Sequence, residues 1–328
     1  MPNNTQYMVG VCITTYNMQD YIARAIDGVL MQQTSFDYEI VVSDDASTDN
    51  TLEILEQYRI KAGEERFKII TSEKNQGVTP NLAKSLFATS AKYIAMLDAD
   101  DYWIDDKKLQ KQVDYLQSNP DVGYVYTNYY HESITAGKRL PAFPANYLHP
   151  VSNAYEMMLI QHYIQPSNTC FRASLIDKQL VETFIQRNFK ILDYCLFLDF
   201  ALKTKGAYLP FATTVYSHRP GSMSRENNYE KTLTNYFHSY EIGNFFMSEN
   251  PLPDALQQKR DFDYHYNLLL AAWKYGSFED VQLQAVWFNA MLFKKHNPRA
   301  LYVYYASKQK WLYFLVRPWL LRKRKFGK

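Results

Sequence analysis

The feature that most constrains this chain is an alternation running through its first 130 residues, short apolar runs taking turns with stretches of helical periodicity. MVGVCITTY (8–16), EIVVSDD (39–45), FKIIT (67–71), KYIAMLD (92–98) and VGYVYTNYY (122–130) are strand-like. Between them, Tyr21, Ile22, Ala25, Ile26 and Val29 recur at helical spacing from about 18 to 32. Leu52, Ile54, Leu55 and Tyr58 mark a second helix, and Leu82, Ala83 and Leu86 a third. KKLQKQVDYLQSNP (107–120) is an amphipathic helix stopped by proline. Strands alternating with helices of about a dozen residues predict βαβ units, hence an α/β fold around a mostly parallel sheet. Ligands of such sheets bind beyond the carboxyl ends of the strands. Polar groups fall there three times: Tyr16-Asn17, Asp44-Asp45, and Asp98 to Asp101.

The pattern then changes. Residues 131–165 are less regular and contain Pro141, Pro144 and Pro150, which predicts an excursion, a candidate loop over the site. Residues 174–205 read as helical and 207–216 as a strand. From about 226 onward the chain reads as helical, with HYNLLLAAWKYG (265–276) and VQLQAVWFNAMLFKKH (281–296). This places a first domain at 1–225, with halves at about 8–130 and 131–225, and a helical C-terminal region at 226–328.

Apolar residues make up 47% of the chain and charged residues 21%, which supports a packed core and argues against disorder. The net charge of +2 hides an asymmetry. Beyond Asp280 there is no Asp or Glu and there are 11 Lys or Arg, leaving residues 1–280 at about −9. A basic end on an acidic body suggests a tail that meets something anionic. Cys12, Cys170 and Cys195 fit no metal spacing and are odd in number, so they are expected to be reduced and buried, as in a cytosolic protein. MPNNTQY has neither the basic nor the apolar region of a signal peptide. No uninterrupted apolar stretch reaches the length of a spanning helix.

The chemistry concentrates in Asp98-Ala99-Asp100-Asp101, directly after the apolar strand YIAML. A hard divalent cation takes carboxylate oxygens, keeps several waters, and draws its remaining ligands from substrate phosphates. Two aspartates one residue apart at a strand end can reach one metal–nucleotide complex. For an isolated Asp-x-Asp, a solvated acidic turn with helix capping by Asp105 or Asp106 is the commoner explanation; the position after a strand and the surrounding motifs reverse that here. VGVCITTYN (9–17), IVVSDDASTDNT (40–51), KNQGVTPNLAKSL (74–86) and YIAMLDADDYW (93–103) occur in that order. In these the chain closely resembles the family-2 glycosyltransferases, inverting enzymes with the GT-A fold, over roughly residues 8 to 225.

The resemblance implies roles. Tyr16 matches the residue packing on the nucleobase, with Thr14 and Asn17 beside it. Asp44 matches the carboxylate that reads the base, typically uracil, and Asp45 shares that signature. Lys74, Asn75, Gly77 and Asn81 match the segment closing over the nucleotide. Asp98 matches the ribose- or metal-side aspartate, and Asp100 the direct ligand of Mn²⁺ or Mg²⁺. An inverting transfer needs a base for the attacking hydroxyl. The family's Glu-Asp pair corresponds to Leu192-Asp193, so the pair is broken and Asp193 is expected to be the base, with Asp199 a second candidate. VYSHRPGSMSR (215–225) carries the family's Arg-x-His region in shifted order; either His218 is a metal ligand or Arg219 and Arg225 contact the diphosphate. Ser167 and Asn168 could line the acceptor side or be structural.

The expected partners are a nucleotide sugar, with UDP favoured, and a saccharide or lipid-linked saccharide acceptor. KQKWLYFLVRPWLLRKRKFGK (308–328) mixes Trp, Tyr and apolar residues with basic ones, a composition suited to an anionic lipid interface. The expected location is therefore cytoplasmic, peripheral on the inner face of the cell membrane. No nucleic-acid motif is present. Two alternatives stay open at this point: a catalytically inactive nucleotide-sugar-binding protein, since position 192 lacks the glutamate, and a sugar nucleotidyltransferase on a similar fold.

Overall fold

A computed structural model describes residues 7–133, 138–144, 153–219 and 228–326. The chain divides into two compact units, Met1–Arg219 and Pro220–Lys328.

In the first unit, β1 (Val9–Thr15), β2 (Tyr38–Asp44), β3 (Phe67–Thr71) and β4 (Tyr93–Asp98) alternate with α1 (Ile22–Leu30), α2 (Thr51–Ala62) and α3 (Val78–Ala88). β5 (Tyr102–Trp103), α4 (Lys108–Ser118), β6 (Val122–Ser133), β7 (Lys138–Pro141) and α5 (Ala154–Ile160) follow, then β8 (Thr169–Arg172), α6 (Lys178–Gln186), α7 (Leu192–Lys203) and β9 (Lys205–His218). The described strands form one sheet in the order β3-β2-β1-β4-β8-β6-β9-β5, with β7 on β6. The first half, β3-β2-β1-β4, is parallel throughout. Antiparallel pairings enter with β8, which lies between β4 and β6. This half-sheet and its helical cover are the α/β architecture that the alternation in the sequence predicts, and they agree with the fold that the family resemblance implies.

Burial explains why these segments are strands. β1 and β2 are buried nearly end to end, as both faces of a parallel strand are covered by helices. α1 buries Ile22, Ala25, Ile26 and Val29, the single face that its periodicity dictates. Gly28 lets α1 approach β5: a Cβ there would stand 2.8 Å from the backbone nitrogen of Trp103.

The order also creates a switch point. From β1 the chain steps outward to β2 and β3, then returns to the other side of β1 for β4. Such reversals leave a crevice at the carboxyl ends of the two central strands. Thr15 pairs with Asp44 and Thr14 with Asp98, so the three polar strand ends arrive within one residue of one another.

Some boundaries differ from the sequence reading. The helical stretch expected over 174–205 is two helices, parted where Asn188 takes φ 58°. A left-handed residue cannot continue a right-handed helix. Likewise 281–296 divides into α10 and α11, because the Asn289 side chain accepts the Leu292 N–H and starts a new helix. The excursion after 131 includes β7 and α5; much of the candidate loop, 134–137 and 145–152, lies outside the described residues.

The second unit consists of α8 (Tyr229–Met247), α9 (Asp254–Tyr275), α10 (Phe278–Ala285), α11 (Ala290–His296), α12 (Leu301–Lys308) and α13 (Lys310–Phe326). Its core gathers Phe262, Leu269, Trp273, Val281, Phe293, Val303 and Tyr313.

Candidate functional site

The loops after β1 and β2 are stitched together by their own side chains. Asn17, at φ 53°, donates its backbone N–H to the Ser47 hydroxyl (2.8 Å), and its side-chain oxygen accepts the Thr48 N–H (2.8 Å). Tyr16 is left 41% exposed at the lip of the crevice, available for stacking. Asp44, fully buried at the end of β2, accepts the backbone N–H of Ser47 (2.8 Å) and the Ser47 hydroxyl. Asp45 turns the other way and holds the next loop, accepting the N–H groups of Gln76 (2.9 Å) and Gly77 (2.7 Å). Gly77 sits at φ 94°, a conformation glycine adopts at low cost. Lys74 and Asn75 stand exposed on that loop.

Asn81 is buried beneath this surface. Its amide donates to the carbonyls of Ser43 (3.0 Å) and Thr15 (3.3 Å), and its oxygen accepts the Ser43 hydroxyl (2.6 Å). Its position is that of a brace between β1 and β2, under the site and not on its surface.

Four carboxylates gather at the end of β4 and the start of α7. Asp98 accepts the Thr14 hydroxyl at 3.4 Å, and its backbone N–H donates to the Ser167 hydroxyl (3.0 Å). Asp100 is paired with Arg219, whose Nε lies 2.8 Å from Oδ2. Asp101 is buried, accepting Gln165 Nε2 and the Ser167 hydroxyl (both 2.7 Å) and the Ser217 N–H (3.0 Å). Asp193 opens α7 and receives backbone N–H groups of its first turn. Burial, then the charges of Asp100 and Asp193, pushes the Asp98 carboxyl up to about 7. Burial, then Asp98 and Asp100, pushes Asp101 well above the ordinary value. Burial also raises Asp193, against the opposing influence of His162. Negative charge crowded into a poorly solvated crevice is an environment that a cation relieves.

Among the described residues no group of three or more His, Cys, Asp or Glu could hold a metal ion by itself. Two carboxylates are nonetheless sufficient where substrate phosphates and waters complete the shell, so Asp98 and Asp100 fit Mn²⁺ or Mg²⁺ as donors. His218 is differently engaged: its Nε2 meets His131 Nδ1 at 3.0 Å and the rings stack at 5.0 Å. Asp199 is buried and paired with Lys203 (2.7 Å), four residues on along α7. Ser167 and Asn168 are fully buried; Ser167 fastens Asp98 to Asp101, and Asn168 donates to the Thr127 carbonyl (2.7 Å). Both take the structural option. Arg225 lies outside the described residues.

Sequence reasoning gave no role to Asp101, Gln165 or His162, whose importance arises from partners 60 or more residues away or on another element. It named Arg219 as a diphosphate contact without anticipating its pairing to Asp100. A separate open hollow at the amino ends of β1 and β2, lined by Tyr7, Phe36, Tyr38 and Arg66 among others, contains none of these residues.

Residues 10–181 match the sequence model of glycosyl transferase family 2. An uncharacterised protein of Mycobacterium tuberculosis is 30% identical over 204 residues, covering 62% of this chain and 56% of that protein. The putative teichuronic acid biosynthesis glycosyltransferase TuaG of Bacillus subtilis is 34% identical over 126 residues, 38% of this chain and 48% of its own. The chain thus spans about half the length of the curated relatives it matches. In fold it is similar to TarS of S. aureus, solved with UDP-GlcNAc, at a TM-score of 0.56 and 16% identity, covering 92% of each chain.

Proposed function

The chain belongs to glycosyl transferase family 2, and from that premise we propose that it moves a sugar from a nucleoside diphosphate, UDP by preference, to an acceptor hydroxyl with inversion. The observation that carries this reading is that the strand ends bearing Thr15, Asp44 and Asp98 reach one crevice within one residue of one another, with Asp193 close enough for its charge to act on Asp98.

In this reading Tyr16 stacks on the base, and Asp44, held rigid by Ser47, accepts a hydrogen bond from a pyrimidine N–H. Asn17 and Asp45 keep the loops that carry these contacts in place, and Lys74 and Asn75 close over the nucleotide. Asp100, with Asp98, would hold Mn²⁺ or Mg²⁺. The cation, when bound, neutralises the departing diphosphate. Asp193 takes the proton from the acceptor hydroxyl; its raised proton affinity makes it a better base than an exposed aspartate. Leu192 is buried, so the position that commonly carries a glutamate contributes packing instead. His218, joined to His131, stands as an accessory group beside this shell.

A relative named for teichuronic acid biosynthesis and one named for glucosyl transfer to a diphosphoundecaprenol-linked sugar support a saccharide or lipid-linked saccharide acceptor. The second unit is read as an accessory region that brings the enzyme to the inner face of the cell membrane. Trp311, Phe314 and Leu315 are each more than half exposed on α13, with Lys308 and Lys310 beside them. Aromatic side chains favour the interface and lysines favour anionic headgroups.

A thermal-shift panel of nucleotide sugars, each with Mn²⁺ or Mg²⁺, tests the donor assignment. A ligand that binds only the folded state raises the midpoint with its concentration. UDP-sugars with metal are expected to stabilise and Asp44→Ala to abolish the shift; a panel in which purine nucleotides stabilise and uridine nucleotides do not would overturn it.

A further inference from the structure

We propose that Arg219 guards Asp100 in the nucleotide-free protein and surrenders it when a donor diphosphate arrives, so that cation and nucleotide are admitted together. This rests on the reading of Asp100 as a metal ligand. The Arg219–Asp100 pair is well removed from solvent, the two side chains being 17% and 18% exposed. The guanidinium also lies over the Tyr21 ring, 5.5 Å from its centroid, a contact that favours a cation there.

The backbone leading to Arg219 is anchored. Two residues earlier, the Ser217 N–H donates to Asp101 (3.0 Å) and the Ser217 hydroxyl accepts from Arg24 (3.1 Å). The side chain therefore swings from a fixed point beside the carboxylates. A guanidinium stays charged at every relevant pH, and its planar fork matches carboxylate and phosphate alike. Seated on Asp100 it excludes a second cation by both volume and charge. A diphosphate offers it more negative charge than one carboxylate does, and its departure leaves Asp100 free for the cation that the diphosphate brings.

The consequence is a competition that metal binding reports directly. If the pair is closed about nine-tenths of the time, the apparent metal affinity of the nucleotide-free protein is about tenfold weaker than the intrinsic one. The test is a Mn²⁺ titration followed by electron paramagnetic resonance on the full chain, with and without UDP. Arg219→Met is expected to bind Mn²⁺ about tenfold more tightly than the unaltered protein without nucleotide, and to lose that advantage when UDP is present. Tyr21→Leu, which removes the ring and leaves the charge, should shift affinity the same way by less, and serves if Arg219→Met fails to fold. Asp100→Asn should abolish binding in every background. Unchanged nucleotide-free affinity in the Arg219 and Tyr21 variants, with Asp100→Asn still abolishing binding, would overturn the guard alone. Mn²⁺ binding that survives Asp100→Asn would instead overturn the assignment of Asp100 as ligand.

Discussion

Single residues at this site divide into those that face the crevice and those that hold its walls. In the proposed reading Asp193 belongs to the first group. Asp193→Asn is expected to leave nucleotide binding intact and slow transfer by about 10²-fold or more, the scale of a lost general base. Because burial raises its proton affinity, the carboxylate form is lost at a higher pH than for an ordinary aspartate. The acid limb of the rate profile should therefore lie above that of an exposed carboxylate and vanish in Asp193→Asn; normal turnover by that variant, with Asp199→Asn inactive, would transfer the role. Asn81 belongs to the second group. Asn81→Ala takes this donor from the Ser43 carbonyl and the acceptor from the buried Ser43 hydroxyl, while the Thr15 carbonyl keeps the Asp45 N–H; unsatisfied buried groups cost about 1–3 kcal/mol each. Denaturant unfolding should show a loss of about 2–3 kcal/mol, and a variant as stable as the parent would contradict the brace. The motif in the sequence could not separate these two kinds of residue. Asp44 and Asp45 are adjacent in an identical-looking pair, yet one ends a strand at the crevice and the other pins Gly77.

Elements are held by groups that local periodicity does not reveal. On α4, Lys108 is fully buried, its ammonium bonded to Gln112 (2.7 Å) and lying 4.2 Å from the centre of the Trp103 ring. Burial lowers its pKa to about 7. In the unfolded chain the same group keeps the ordinary value of 10.5, so between about pH 7 and 10.5 the unfolded state binds more protons. Folding is therefore relatively more favourable as pH rises through that window. Measured by denaturant unfolding across this range, the stability of the unaltered chain minus that of Lys108→Met should increase with pH; a flat difference would mean that the lysine remains charged in the fold. The amphipathic pattern of 107–120 announced α4 itself, because helix formation depends on neighbours three and four residues apart. It could not announce that Lys108 points inward, since its partners Trp103 and Thr169 are brought there by β5 and β8. The same limit explains the helices that were read as continuous: the Asn188 turn and the Asn289 cap act through single backbone conformations, which averaged periodicity smooths over.

At the scale of the whole molecule, the membrane role proposed for the second unit makes a direct prediction. Among the described residues no helix is long and apolar enough to cross a membrane. α13 divides its apolar residues: Tyr313 is buried against Trp273 and Phe278, while Trp311, Phe314 and Leu315 face outward. Truncating at Ala306 would strip the core of the second unit, so substitution is the cleaner test. Replacing Trp311, Phe314 and Leu315 together by Ser should abolish flotation with vesicles containing anionic lipid, and raising salt from about 0.01 M to about 0.5 M, about a sevenfold shortening of the Debye length, should weaken flotation of the parent; equal flotation of both proteins would remove the membrane role. The sequence by itself determined the α/β class, the family, and the strand ends where polar residues collect, because alternation and periodicity are local properties of the chain. Tertiary structure alone decided which carboxylates share the crevice, that Asn81, Ser167 and Asn168 lie beneath it, and that Arg219 rests on Asp100. Those outcomes depend on strand order and on contacts between residues as many as 119 positions apart, and no periodicity within a segment encodes which distant groups will meet.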